Sequence, residues 1–183
     1  MRLFIALDIN QEIRSRASVI INELKQTGAD VKFTKPENLH FTVKFLGEVN
    51  EQRVKEIRES VTGALDGIEP FSIALHGIGF FGNPNYMKTV WIGVNEGREE
   101  LVKLCKAVNS SLEHIRKENR KPSPHLTLGR VRSARNREPL LNKINDLKDV
   151  KMGSMAVNEI VLKNSILSRE GPQYSDLKVF RLS

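Results

Sequence analysis

The chain contains 183 residues, of which 39% are hydrophobic and 28% charged, a composition typical of a water-soluble globular protein. Its single cysteine, Cys105, excludes an internal disulfide, and no stretch approaches the roughly 18 consecutive apolar residues that a membrane helix needs. We therefore expect a cytoplasmic protein without membrane contact. The formal net charge of +7 favours a polyanionic partner.

The first half of the chain is predicted to alternate strands and helices. The apolar run over Arg2–Asp8 is too short for a signal peptide and predicts a first strand. Asn10 is placed to cap a helix with an apolar stripe, and Asn50 is placed to cap a second one. Between these helices we expect an extended piece at 31–34, a turn at 35–38 and a strand at 39–46.

The second half is predicted to begin with a hairpin. Strands at 70–81 and 88–94 flank the turn sequence Gly82-Asn83-Pro84-Asn85. A long helix is predicted at 99–117, with Cys105 on its buried face, and a strand follows at 125–131. A short amphipathic segment at 140–147 and strands at 157–167 and 177–182 complete the order.

This order of elements predicts an α+β fold. No low-complexity linker divides the chain, so we expect residues 1–183 to form a single domain. We predict two pseudo-symmetric lobes with antiparallel-rich sheets around a central cleft and helices on the outer faces.

A His-x-Thr pattern occurs once in each half, as His40-Phe41-Thr42 and as His125-Leu126-Thr127. Both copies lie in predicted strands, where side chains two residues apart project from the same face. An imidazole exchanges protons near neutral pH, and a hydroxyl donates a hydrogen bond to an anionic oxygen. Two such pairs facing each other predict a phosphate site with a proton-exchanging group on either side.

Strand alternation assigns the residues that follow each motif to a face. In the first motif Lys44 is predicted on the polar face, whereas Phe45 falls on the apolar one. In the second motif Gly129 is predicted on the polar face, where a missing side chain would let a ligand approach closely. Arg130 falls on the opposite face, so it reaches the same phosphate only if the strand bulges or ends near Gly129.

Basic residues flank the second motif on both sides. They are Arg116, Lys117, Arg120 and Lys121 before it, and Arg130, Arg132, Arg135 and Arg137 after it. Any one of them fits ordinary solvated surface charge. As a group beside a candidate phosphate site, they favour a funnel for a nucleic-acid backbone.

Six segments, in order along nearly the whole chain, carry a resemblance to a known family: residues 1–8, 36–47, 90–94, 124–130, 161–167 and 171–174. In these segments the chain resembles the 2H phosphoesterase superfamily. More narrowly, it is similar to the RNA 2′,3′-cyclic phosphodiesterases, also called 2′-5′ RNA ligases.

The resemblance implies a metal-independent hydrolase without a cofactor that opens an RNA 2′,3′-cyclic phosphate at the 3′ oxygen and leaves a 2′-phosphate. It implies that His40 is the proton donor to the leaving oxygen and His125 the proton acceptor. Thr42 and Thr127 would donate hydrogen bonds to the non-bridging oxygens. The implied partner is an RNA end, such as that of a tRNA fragment, and we expect a monomer. The residues themselves do not tell the acid from the base.

Three further residues are candidates for substrate binding. Arg130 matches an arginine that follows the second motif of the family and is a candidate phosphate ligand. Phe45 and Tyr174 are candidates for stacking on a nucleobase. Phe45 lies on the apolar face of its predicted strand, however, which favours a position in the core. Trp91 is also expected in the core.

Three other functions fit part of the pattern. A metal hydrolase also uses histidines, but catalytic zinc takes three protein ligands, and the remaining His76 and His114 lie outside the motifs. A non-catalytic RNA-end-binding module accounts for the charge but not for two imidazoles paired with hydroxyls. Ligation through a 2′-5′ bond uses a ribose hydroxyl in place of water, which is far more abundant, so we favour hydrolysis.

Overall fold

The computed structural model describes residues 1–169 and 171–183, which form nine strands and four α-helices. The strands are β1 (Arg2–Asp8), β2 (Val31–Phe33), β3 (His40–Glu48), β4 (Phe71–Asn83), β5 (Tyr86–Val94), β6 (Leu126–Val131), β7 (Lys151–Val157), β8 (Glu159–Ser168) and β9 (Gly171–Arg181). The helices are α1 (Gln11–Lys25), α2 (Val54–Ala64), α3 (Arg98–Ser111) and α4 (Arg137–Asp146). Single 3-10 turns lie at Pro36–Asn38 and Glu51–Arg53.

All nine strands belong to one antiparallel sheet in the order β7-β4-β5-β6-β3-β1-β8-β9, and β2 pairs with β6. The two strands that carry the His-x-Thr motifs, β3 and β6, are neighbours at its centre. They divide the sheet into two halves, β3-β1-β8-β9 and β6-β5-β4-β7. The predicted α+β fold with two antiparallel lobes is confirmed, and the lobes join in a continuous sheet.

The helices cover one side of this sheet. α1 packs against β7 and α4, whereas α3 packs against α2, β3 and β4. Their apolar stripes belong to one contiguous core cluster that reaches both halves. Cys105 lies in this core as predicted, and burial raises the pKa of its thiol to about 12. None of the described helices is both long and apolar enough to cross a membrane.

The helix starts follow the local sequence signals. The Asn10 side chain accepts a hydrogen bond from the backbone N–H of Ile13 at 2.9 Å and caps α1. The Asn50 side chain accepts from the N–H of Gln52 at 3.0 Å and caps the 3-10 turn that leads into α2. Caps of this kind stabilise a helix by about 1 kcal/mol.

Two predicted boundaries were wrong, and one strand was not predicted. α3 ends at Ser111 instead of 117, because the charged segment that follows has few apolar side chains to hold it on the core. The sequence analysis missed β7, an edge strand whose Gly153 and exposed polar positions weaken the apolar alternation. It also started β9 six residues late, since Gly171 and Pro172 resemble a turn.

Candidate active site

The two His-x-Thr motifs face each other across the centre of the sheet. Phe41 of β3 is paired with Leu126 of β6, and both side chains are buried in the core. Continuing this antiparallel register by one residue places His40 opposite Thr127, and Thr42 opposite His125. The four polar side chains therefore share the other face of the sheet. In this register His40 and His125 are diagonal neighbours, which lie about 7–8 Å apart in such a pair of strands and leave room for a phosphate between the imidazoles.

Both imidazoles are held by the same kind of hydrogen bond. Nδ1 of His40 lies 2.7 Å from the carbonyl oxygen of Asn38, and Nδ1 of His125 lies 2.6 Å from that of Ser123. Because a carbonyl only accepts, Nδ1 carries the hydrogen in each ring. This leaves Nε2 of each histidine for proton exchange with a ligand. Nε2 of His40 is 3.1 Å from the hydroxyl oxygen of Thr42.

Aromatic rings fix the orientation of each imidazole from the side. The ring of His40 lies 5.1 Å from Phe4 and 5.5 Å edge-on from Tyr174, measured between centroids. The ring of His125 lies 4.7 Å edge-on from Phe81. Edge-to-face contacts at these distances are favourable, so they help to hold each imidazole in its orientation.

Burial lowers the pKa of His40, and the nearby charges act on it in opposite directions. The hydrogen bond to the Asn38 carbonyl and the negative charge of Asp8 raise the pKa of His40, and Lys163 lowers it. Asp8 lies directly opposite His40 in the β1–β3 pairing. The ammonium of Lys163 is 2.9 Å from Asp8 and 2.6 Å from Asp176, so this cluster places two carboxylates and one ammonium beside His40.

Burial also lowers the pKa of His125, but its charged neighbours are cations. The hydrogen bond to Ser123 raises the pKa of His125, while Arg130 and Arg98 both lower it. Arg98 also donates a hydrogen bond of 3.4 Å to the carbonyl oxygen of Pro124, just before His125. At His125 the neighbouring charges thus add to the effect of burial on the pKa, whereas at His40 the charges of Asp8 and Lys163 oppose each other.

A bulge in β6 brings Arg130 into the cleft. Consecutive residues of β5 pair with Thr127 and Gly129, so Leu128 is an extra residue that reverses the alternation. Arg130 consequently projects from the same face as Thr127, as the sequence analysis required for a phosphate ligand. The predicted position of Gly129 was wrong, because it faces β2, where a Cβ atom would approach Val31 to 2.7 Å.

A second bulge at the equivalent position of β3 reverses its alternation as well. Consecutive residues of β1 pair with Thr42 and Lys44, so Val43 is the extra residue. Phe45 therefore lies in the cleft and is 37% exposed, and its predicted core position was wrong. Lys44 was predicted beside Thr42, but it is 3% exposed and reaches Asn109 of α3.

Two cavities meet at the phosphate position. One, of about 450 Å³, is lined by His40, both motif threonines, Arg130, Phe45 and Tyr174. The other, of about 990 Å³, lies on the His125 side and shares Thr42, Phe45 and Arg130 with the first. All seven residues selected from the sequence thus line the same cleft.

The remaining candidates of the sequence analysis lie elsewhere. Trp91 is partly buried and packs over Gly79. The imidazole of His114 lies 2.9 Å from Glu56, and neither His76 nor His114 lines the two cavities of the cleft. In residues 1–169 and 171–183, no three His, Cys, Asp or Glu side chains are grouped as a metal site requires.

The residues that distinguish the two histidines were not among the candidates from the sequence. Asp8, Lys163 and Arg98 are far from both motifs along the chain, and each reaches its histidine only through folding. Pairing the first predicted strand with the first motif strand would have brought Asp8 beside His40. No local signal identifies Lys163 or Arg98.

Comparison with known proteins gives consistent results. A family model described as the 2′-5′ RNA ligase superfamily matches residues 12–164. A curated RNA 2′,3′-cyclic phosphodiesterase of Methanothermobacter thermautotrophicus is 43% identical, with 100% of this chain and 99% of the relative covered.

Solved structures also resemble this chain. A Thermus thermophilus protein has a TM-score of 0.82 at 24% identity, with 100% of this chain and 98% of that chain covered. E. coli LigT, solved in complex with 3′-AMP, has a TM-score of 0.77 at 26% identity, with the same coverage.

Proposed function

The chain belongs to the 2′-5′ RNA ligase superfamily, and from this premise and the geometry of the cleft we propose that it hydrolyses RNA 2′,3′-cyclic phosphate ends to 2′-phosphate ends. The observation that carries the proposal is the pair of imidazoles with Nδ1 fixed by backbone carbonyls and Nε2 left for proton exchange. Attack of water on phosphorus releases one proton, and the departing ribose oxygen takes one up. Two such groups on either side of one phosphate meet both needs.

We assign His40 as the proton donor and His125 as the proton acceptor. The donor must be protonated when the substrate binds, and Asp8 opposes the effect of burial by raising the pKa of His40. The acceptor must be neutral, and Arg130 and Arg98 lower the pKa of His125 further. A bound phosphate adds negative charge beside both rings, and only His40 also has a carboxylate, that of Asp8, which favours its protonated form.

The hydroxyls and the guanidinium around the phosphate position stabilise the charge that develops during attack. Thr42 and Thr127 stand on opposite strands and donate to the two non-bridging oxygens. Arg130 carries a permanent positive charge and a planar set of donors suited to phosphate. Phe45 and Tyr174 line the cavity on the leaving-group side and provide apolar surface for the terminal base.

The proposal is tested with an oligonucleotide that ends in a 2′,3′-cyclic phosphate, incubated in excess chelator. We expect turnover to a 2′-phosphate end. A 3′-phosphate product would mean that the leaving oxygen is misassigned. Loss of turnover in chelator would indicate a metal hydrolase, and binding without turnover would indicate an RNA-end-binding module.

A second candidate activity is 2′-5′ ligation at the same site. In-line attack places the nucleophile on the side of His125, the proton acceptor. The cavity of about 990 Å³ beside His125 is large enough for a nucleophile bigger than water. A 5′-hydroxyl strand bound there would replace water as the nucleophile. Because water competes at very high concentration, hydrolysis remains the main activity unless that strand is bound in position. Addition of a 5′-hydroxyl oligonucleotide should then give some 2′-5′-linked product.

The finer predictions about substrate and location belong to the same proposal. We propose that the RNA ends include those of tRNA fragments, and that the enzyme acts as a monomer in the cytoplasm. The positive charge of the chain and the continuous cleft within one subunit support a single chain acting on RNA. Sedimentation of the purified protein tests the monomer, and sequencing of 2′-phosphate ends in cells tests the substrate.

A further inference from the structure

The cavity beside His125 continues as a crevice, which we call the Lys44 crevice, between β3 and residues 118–124. α3 forms its floor through Cys105 and Asn109. In the part of the chain that the structure describes, seven cationic side chains line the cavity and the crevice together, against one carboxylate, that of Glu118. Three of the seven, Lys44, Arg120 and Lys121, lie in the crevice itself. Activation of water requires no such excess of positive charge. The excess indicates a polyanion that extends beyond the reacting phosphate.

Lys44 is the most buried cation of the crevice. Its residue is 3% exposed, and its ammonium donates hydrogen bonds to the side-chain oxygen of Asn109 at 3.0 Å and to the backbone oxygen at 3.5 Å. No described carboxylate lies within 4 Å of it, although Glu113 and Glu118 attract it from further away. Burial lowers the pKa of Lys44 in spite of these carboxylates. A buried ammonium without an ion-pair partner is costly, so an external anion would stabilise it.

The bulge at Val43 explains how this lysine reaches the crevice. It turns Lys44 away from the face that carries Thr42. The hydroxyl of Thr42 and the ammonium of Lys44 therefore lie in different parts of the site. Thr42 remains at the phosphate between the histidines. At the other end of the crevice, Arg120 and Lys121 are exposed and extend the positive surface towards solvent.

We propose that Lys44 anchors a second phosphate site, which binds a phosphodiester of a single-stranded RNA lying in the Lys44 crevice. This inference rests on the proposed function for the identity of the ligand as RNA. It adds a site outside the reacting centre, with Lys44 as the buried donor and with Arg120 and Lys121 at the rim.

The experiment measures binding of a single-stranded RNA oligonucleotide with hydroxyl groups at both ends, by fluorescence anisotropy at several salt concentrations. We expect Lys44→Met to weaken binding about tenfold, since hydrogen bonds between charged groups contribute about that much. The slope of log K against log salt should become shallower by about 0.7, the value for one phosphate contact on a single strand. Lys103→Met, on the exposed face of α3, removes the same charge outside the crevice and should change neither quantity.

Unchanged affinity and salt slope in Lys44→Met would overturn the proposal and leave Lys44 as a structural link between β3 and α3. If this variant does not fold, the exposed pair Arg120→Ser and Lys121→Ser replaces it. That double variant should lower the salt slope by about 1.4, and an unchanged slope would overturn the proposal equally.

Two turnover measurements identify which RNA strand lies in the crevice. If it is the strand with the cyclic end, Lys44→Met lowers the ratio of kcat/KM for a cyclic-ended oligonucleotide to that for a 2′,3′-cyclic mononucleotide. If it is a 5′-hydroxyl strand, the variant raises the concentration of that strand needed for half-maximal ligation. RNA binding by wild type without any turnover would contradict the proposed function and leave the RNA site intact.

Discussion

The half of the sheet that carries His40 and the half that carries His125 share one backbone plan. In each, a backbone carbonyl two residues before the histidine accepts from Nδ1, a threonine follows two residues later, and a bulge comes next. The bulge brings the fifth residue after the histidine into the cleft. That residue is Phe45 in one half and Arg130 in the other.

The halves differ in the charges that surround these matched frames. His40 faces the Asp8, Lys163 and Asp176 cluster, whereas His125 faces Arg98 and Arg130. The motifs alone therefore do not distinguish the two histidines, and the proposed division into proton donor and proton acceptor rests on charged residues outside them. In the proposed mechanism, the matched backbone frames bind the phosphate, and the different charges around them give the two histidines different protonation states.

The largest expected effect comes from removal of either imidazole. His40→Ala and His125→Ala should each lower kcat for a cyclic-ended oligonucleotide by about 10²–10⁴-fold, the usual contribution of a positioned acid or base. In the remaining activity, the alkaline limb of the pH profile should be missing from His40→Ala and the acidic limb from His125→Ala. The opposite pattern would exchange the two roles, and full turnover in both variants would contradict acid–base catalysis.

Removal of either threonine hydroxyl should lower kcat by a similar factor if the backbone symmetry extends to the transition state. Loss of one positioned donor typically costs about 10²–10³ in kcat, and we expect this for Thr42→Ala and for Thr127→Ala. Thr→Ser at each position keeps the hydroxyl and serves as the control. A large effect from only one of the two would mean that the phosphate sits asymmetrically between the strands.

Phe45 and Arg130 occupy equivalent positions, so their replacements compare an apolar contact with a charged one. Arg130→Gln should lower kcat/KM about 10–100-fold, because a charge-assisted hydrogen bond to phosphate is lost, and Arg130→Lys should restore part of it. Phe45→Leu should have a smaller effect on kcat/KM than Arg130→Gln and should act by raising KM, because only the contact with the terminal nucleobase changes. A larger effect at Phe45 than at Arg130 would contradict these assignments.

The smallest expected effects are shifts of the two pH limbs. Asp8 raises the pKa of His40, so Asp8→Asn should lower that pKa and move the alkaline limb to lower pH. Arg98 lowers the pKa of His125, so Arg98→Gln should raise that pKa and move the acidic limb to higher pH. Each substitution therefore narrows the profile from a different side.

NMR titration of the two imidazoles checks these shifts without any turnover. Asp8→Glu keeps the charge and serves as the control for the alkaline limb, as Arg98→Lys does for the acidic one. Movement of the same limb by both Asp8→Asn and Arg98→Gln would remove the electrostatic distinction between the two halves.

Several features were determined by the sequence alone because they depend on local periodicity. The α+β order, the two motif strands, the helix caps at Asn10 and Asn50 and the buried Cys105 all follow from side chains within a few residues of one another. The two His-x-Thr pairs also follow from alternation, since the histidine and the threonine of each pair are two positions apart in one strand. The need for a bulge near Gly129 was likewise visible, because Arg130 otherwise lay on the wrong face.

The side chains that surround these motifs come together only when the strands pair and the helices pack against them. The bulges at Val43 and Leu128 arise from pairing with β1 and β5, and they alone move Phe45 and Arg130 into the cleft and Lys44 beneath it. Asp8, Lys163 and Arg98 approach the histidines from other strands and a helix. Alternation within one strand carries no information about cross-strand pairing, and the difference between the two histidines depends on that pairing.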